Sequence, residues 1–104
     1  MQQDNAAVEI RKLNDAFRST GTFTVTQGVL ELNDVSGLLQ AVRQDDKFSE
    51  SNDPYGEHDF GVILWAGEKI FWKIDYYDQK LERWEDPLSP QCRRVLTVML
   101  AEEY

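Results

Sequence analysis

A chain of 104 residues with 41% hydrophobic and 12% aromatic content carries enough apolar material for one core, so a single domain over 1–104 is expected. With 29% charged residues and a formal charge of −8, it is too well supplied with core formers for wholesale disorder. It is also too acidic to sit directly on a nucleic-acid backbone, whose field would repel it. Its only cysteine, Cys92, excludes an intrachain disulfide. No run approaches the ~20 apolar residues of a membrane helix, and MQQDNAAVEIRK lacks the basic-then-apolar pattern of a signal peptide. Neither secretion nor a membrane partner is expected, and the expected location is cytoplasmic.

In chain order, Ala6, Ile10, Leu13 and Phe17 recur at helical spacing and predict an amphipathic helix over residues 4–18 that ends near Gly21. Thr22 to Thr26 is rich in β-branched and aromatic residues and reads as a strand. Val29 to Leu32 reads as its partner in a first hairpin. Asn33, Asp34 or Ser36 caps a second helix with Val35, Leu38, Leu39 and Val42 on its apolar face. A polar stretch from Asp45 to Glu57 then holds the turn Asn52-Asp53-Pro54-Tyr55-Gly56, expected to be ordered by Tyr55.

A β-hairpin over about 58–77 is the strongest local signal. His58–Trp65 and Ile70–Tyr77 flank Ala66-Gly67-Glu68-Lys69, and a two-residue turn at Gly67-Glu68 pairs Trp65 with Ile70, Ile63 with Trp72 and Gly61 with Ile74. That register sets an apolar face against a mixed one of Leu64, Phe71, Val62, Lys73, Phe60 and Asp75, with His58 opposite Tyr77. Ser89 and Pro90 then form a helix start, followed by Cys92, Val95, Leu96, Met99 and Leu100 at helical spacing. The β-branched Val95, Thr97 and Val98 leave a strand open over 91–103. The expected class is α+β: a small antiparallel sheet around the hairpin, packed against two or three helices.

Four segments carry a family resemblance: Asn14-Asp15-x-Phe-Arg18, Asn52-Asp53-Pro-Tyr-Gly-Glu-His-Asp-Phe-Gly61, Phe71-Trp-Lys-Ile-Asp-Tyr-Tyr-Asp78, and Arg94 through Tyr104. They resemble a family of short bacterial proteins of unknown function, from about residue 10 to the end. The resemblance implies a frequent setting on plasmids and other mobile elements and supplies no catalytic residues. Trp84, before Glu85-Asp86-Pro87, departs from the small polar residue usual in similar sequences.

Charge is unevenly placed. From Asp45 to Asp86 twelve acids face five bases, which holds −7 of the −8. Such a segment attracts a basic protein surface, or serves only to keep the protein soluble. Asp45, Asp46, Glu50, Asp53, Asp78, Glu82, Glu85 and Asp86, interleaved with Tyr55, Tyr77 and Trp84, form the expected partner-binding set. The expected partner is a basic protein, of the kind found in nucleic-acid-handling effectors or nuclease subunits. Carboxylates would stand in for phosphates there, as in an inhibitor of a host defence complex such as a CRISPR effector. Two alternatives remain open. His58, Asp75 and Tyr77 on one hairpin face form a candidate acid–base set for a small hydrolase, and His58 with Asp53 a candidate metal pair. The half-polar face could instead pack on a second copy. The scattered glycines contain no phosphate loop, and no cofactor is expected.

Overall fold

The computed structural model describes residues 5–104. Helix α1 (Asn5–Thr20) leads into strand β1 (Phe23–Val25), a single helical turn α2 (Gln27–Leu30) and helix α3 (Val35–Gln44). Strands β2 (Phe60–Trp65), β3 (Glu68–Tyr77) and β4 (Arg93–Leu100) follow, and a 3-10 turn over Ala101–Glu103 ends the chain. The four strands lie in the order β1-β4-β3-β2, with β1 parallel to β4 and the others antiparallel. The fold is therefore α+β, as the sequence predicts, but its sheet is mixed rather than antiparallel.

Three expectations are corrected. Residues 29–32 are not a strand, because the Thr26 hydroxyl accepts the Val29 N–H at 3.4 Å and caps a helical turn instead. β1 finds its partner in β4, with Phe23 against Leu96 and Val25 against Val98. Residues 93–100 are a strand rather than a helix. Leu96 and Val98 alternate into the core, and their β-branched neighbours suit the pleat. The Ser89-Pro90 start signal closes only a turn, in which Gln91 N–H donates to Ser89 Oγ at 3.0 Å.

The hairpin forms where expected, in a register two residues away from the sequence reading. The turn is Ala66-Gly67, with φ of 51° and 81°, the paired left-handed geometry of a type I′ turn. Trp65 accordingly faces Glu68, Ile63 faces Ile70 and Gly61 faces Trp72. A shift by an even number keeps every side chain on its predicted face. Ile70, Trp72 and Ile74 join Leu96, Val98, Val29, Leu38 and Val42 in the core beneath the helices.

Among the described residues the opposite face carries no helix. Phe60, Val62, Leu64, Phe71, Lys73 and Asp75 alternate onto it, joined by Val95, Thr97 and Met99 from β4. The Tyr104 ring lies over part of it, 6.0 Å from Phe60 and 5.6 Å from Phe71 between centroids, and Met99 is buried there.

The chain's last turn is fastened by one carboxylate. Glu103 accepts from the Thr26 hydroxyl at 2.6 Å, Leu100 N–H at 2.8 Å and Gly28 N–H at 3.2 Å. The Thr26 bond, followed by that from Leu100, holds its carboxyl below the ordinary carboxylate value. The stability this supplies is present above the unfolded pKa of 4.5 and is lost as pH falls through the lower folded value. Acid titration followed by circular dichroism should therefore show Glu103→Gln losing its deficit relative to the parent protein as pH drops below that range.

Candidate functional site

Two regions gather the polar and aromatic residues singled out by the sequence. The first surrounds His58. The turn before it is closed by Asp53 N–H to Ser49 O at 2.7 Å and Gly56 N–H to Asp53 O at 3.2 Å. Asp53 is buried, and its Oδ1 accepts the His58 N–H at 3.1 Å. His58 takes a left-handed φ of 55°, a strained geometry for this residue that re-aims its ring before the strand begins.

The ring turns towards α1. Its Nδ1 lies 2.8 Å from Asp15 Oδ1, and because a carboxylate can only accept, Nδ1 carries the proton. Nε2 sits 3.6 Å from Asp53 Oδ2, beyond hydrogen-bond range, and the ring stacks on Phe48 at 3.7 Å. Asp15 also meets Arg18 Nη2 at 3.5 Å. Arg18 is almost wholly buried: Nη1 donates to Val42 O at 2.6 Å, and the guanidinium lies 4.7 Å from the Trp72 ring. The Trp72 indole N–H donates to buried Asp45 at 2.8 Å. Next to this chain, Asn14 donates to Tyr76 OH at 2.9 Å and Glu57 O at 3.0 Å, and accepts from Arg94 Nε at 2.6 Å. Burial pushes the Tyr76 phenol up to about 12, so it stays neutral in this network.

This geometry separates His58 from Asp75 and Tyr77. Asp75 is on the opposite face of the sheet, 3.0 Å from Lys73, while His58 lies ahead of the strand with its ring on Phe48. Asp15 and Asp53 take the places beside the imidazole that the hairpin register had given to Asp75 and Tyr77. Among the described residues, no group of three or more His, Cys, Asp or Glu is placed to hold a metal ion. With one nitrogen bonded to Asp15 and one ring face covered by Phe48, the imidazole acts as a strut between the loop and α1. Sequence periodicity missed Asn14, Asp15 and Arg18. Asn14 and Arg18 share the buried face of α1 with Ala7 and Ile10, while Leu13 is 45% exposed.

The second region is the hairpin exit and the uncovered sheet face. Of the expected partner-binding set, Asp45 and Asp53 are buried and internally bonded, whereas Asp46, Glu50 and Tyr55 are exposed. Tyr55 does not anchor its turn, being 77% exposed. Asp78 is a turn cap: it accepts from Glu82 N–H at 3.0 Å and Lys80 N–H at 3.1 Å, and the Glu82 bond leads in holding its carboxyl below the ordinary value. Trp84 returns to bridge Tyr77 with its side chain 70% exposed, flanked by Glu82, Glu85 and Asp86. Between Trp84 and the start of β2 lies a recess of about 270 Å³ lined by Asp59, Asp75 and Tyr77 among others. Burial, reinforced by the charges of Asp53 and Asp75, raises the Asp59 carboxyl above its ordinary value. Cys92 is not on a helix stripe; it precedes β4, half-buried, and burial raises its thiol rather than activating it.

A protein-family model described as protein of unknown function (DUF3768) matches residues 25–103. No curated protein and no solved structure matches the chain. The matched span contains the hairpin, its exit and β4; Asn14, Asp15 and Arg18 precede it. Among the described residues no helix is long and apolar enough to cross a membrane.

Proposed function

We propose that this chain, which belongs to the DUF3768 family of proteins of unknown function, is a non-enzymatic module that binds a basic protein through its uncovered sheet face and acidic hairpin exit. The observation that carries this reading is the second sheet face, where Leu64 is 79% exposed beside partly buried Phe60, Val62 and Phe71 and no helix among the described residues packs. Monomeric proteins rarely leave such a patch without a use. Beside it, exposed Trp84 stands among carboxylates, the pattern of an aromatic anchor within a charged rim. The recess between Asp59, Asp75, Tyr77 and Trp84 suits a lysine or arginine side chain, held by carboxylates and an aromatic wall. A nucleic-acid-handling effector is the partner class such a surface fits, its cationic channel accepting carboxylates where phosphates would lie. The engagement of His58 with Asp15, Asp53 and Phe48 favours this reading over catalysis at that residue.

The test is retention of native-host proteins on immobilised protein, followed by measured affinity for the retained species. A basic protein released by rising salt is expected. The triple variant Trp84→Ala, Glu82→Lys, Glu85→Lys should bind it about thirtyfold more weakly or worse, from the ~2 kcal/mol of a buried tryptophan anchor. Asp78 is left intact because it caps its own turn. Folded His58→Ala should retain the partner in full. Equal binding by the triple variant, or loss in folded His58→Ala alone, would overturn the proposal.

A further inference from the structure

β2 is an edge strand of an unusual kind. Its sequence, Phe-Gly-Val-Ile-Leu-Trp, contains no lysine, no proline and no charge, and it pairs with β3 residue for residue without a bulge. Exposed edges template association, and natural proteins blunt them with short strands, charges, proline or bulges. The opposite edge of this sheet follows that rule, since β1 has only 3 residues. β2 has 6 and none of the other protections.

The direction of its free backbone groups follows from the ladder. Ile74 N–H donates to Asp59 O at 2.8 Å, so Asp59 faces β3, and Gly61, Ile63 and Trp65 share its side. The N–H and C=O of Phe60, Val62 and Leu64 therefore point outward. Their side chains lie on the uncovered face, where Leu64 is 79% exposed. Residues 44–47 flank this edge, sharing with Val62, Ile63 and Leu64 the walls of an open recess of about 500 Å³.

We infer that β2 is the contact between two copies of this chain, pairing antiparallel about a twofold axis centred on Val62. Val62 then faces its own counterpart and Phe60 faces Leu64 of the second copy. Every outward donor meets an outward acceptor, because an antiparallel pair of identical strands is self-complementary about such an axis. The two sheets become one continuous sheet with no exposed β2 edge. On the uncovered face, Leu64 gains the Phe60 ring of the second copy as an apolar cross-strand neighbour. A second copy fits better than a charged partner segment, since a contact between two chains of charge −8 requires an uncharged strip and β2 supplies one. The contact shares Phe60, Val62 and Leu64 with the sheet face of the proposed partner surface and leaves the hairpin exit free.

Two variants and one labelling measurement test it. Val62→Pro removes an outward N–H that β3 does not use, and proline is tolerated on such an edge. Leu64→Lys places a charge on an exposed side chain, so neither variant disturbs the core. Sedimentation of the full chain should give twice the single-chain mass. Both variants should give the single-chain mass with unchanged circular dichroism. In the parent protein the amides of Phe60, Val62 and Leu64 should be protected from hydrogen exchange, and in Leu64→Lys the amides of Phe60 and Val62 should lose that protection. A parent protein of single-chain mass at tens of micromolar would overturn the inference. So would a dimer that survives in both variants, or one whose amides at 60, 62 and 64 exchange freely.

Discussion

Gly61→Ala is expected to destabilise the protein by about 4 kcal/mol, although it adds a single methyl group. Gly61 faces Trp72 across the hairpin, and a Cβ at this position would overlap the indole ring and the carboxylate of Asp45. Trp72 has nowhere to move. It is fully buried, hydrogen-bonded to Asp45, covered by the Arg18 guanidinium and edged by Phe48 at 6.0 Å. The methyl must therefore displace the ring, adding strain to the loss of a buried hydrogen bond. Gly67→Ala is the control, because nothing lies within 4 Å and only its φ of 81° opposes a side chain. It should cost about 1 kcal/mol. Urea unfolding of both variants measures the difference, and a Gly61→Ala cost within 1 kcal/mol of the control would contradict this account of the tryptophan site.

Asn14→Leu should cost a similar ~4 kcal/mol, for the opposite reason. The branched shape is conserved and the side chain grows, while the Arg94 guanidinium loses its short bond to Asn14, and Tyr76 OH and Glu57 O each lose a donor. Asn14 is fully buried, so water does not replace these partners at the site. Arg94 retains Pro87 O at 2.8 Å, a weak contact to Cys92 Sγ and the Tyr76 ring, 5.3 Å from its guanidinium. The double variant Asn14→Leu, Arg94→Met should recover part of the loss, since removing both sides of a buried polar pair costs less than removing one. A double-mutant cycle by chemical denaturation reads the coupling directly. Strictly additive effects would show that the two residues do not act as a unit.

The hairpin was legible because its signals are local. Alternating apolar residues and a glycine turn define both strands, and both faces are as the alternation predicts. The register escaped because the turn uses Ala66 at positive φ, where sequence rules favour Gly67-Glu68. β4 was harder to read, since Leu96, Met99 and Leu100 satisfy a helical stripe as well as a pleat. Its state is decided by pairing with β1 and β3, which lie far away in sequence. The His58 surroundings were half legible. The histidine and Asp53 stood out together, but Asp15 was hidden on a helix where it reads as ordinary solvent-facing charge. Asn14 and Arg18 occupy a buried stripe where periodicity expects only apolar residues, so a reading by hydropathy alone discards them. The quoted motif Asn14-Asp15-x-Phe-Arg18 was the signal that could have recovered all three.

The pairing of β1 with β4 has a consequence for how the chain acquires its structure. Phe23 cannot join the sheet until Leu96 has been made, and the Asn14–Arg94 and Thr26–Glu103 bonds span 80 and 77 positions. During synthesis the first three helices would therefore wait without the strands that bury them. Contacts this distant in sequence slow the search for the native state and make it arrive late and all at once. The nascent chain would meanwhile expose β2 before its neighbours are complete, so the interval before β4 emerges is when an unpaired strand is most open to misassociation.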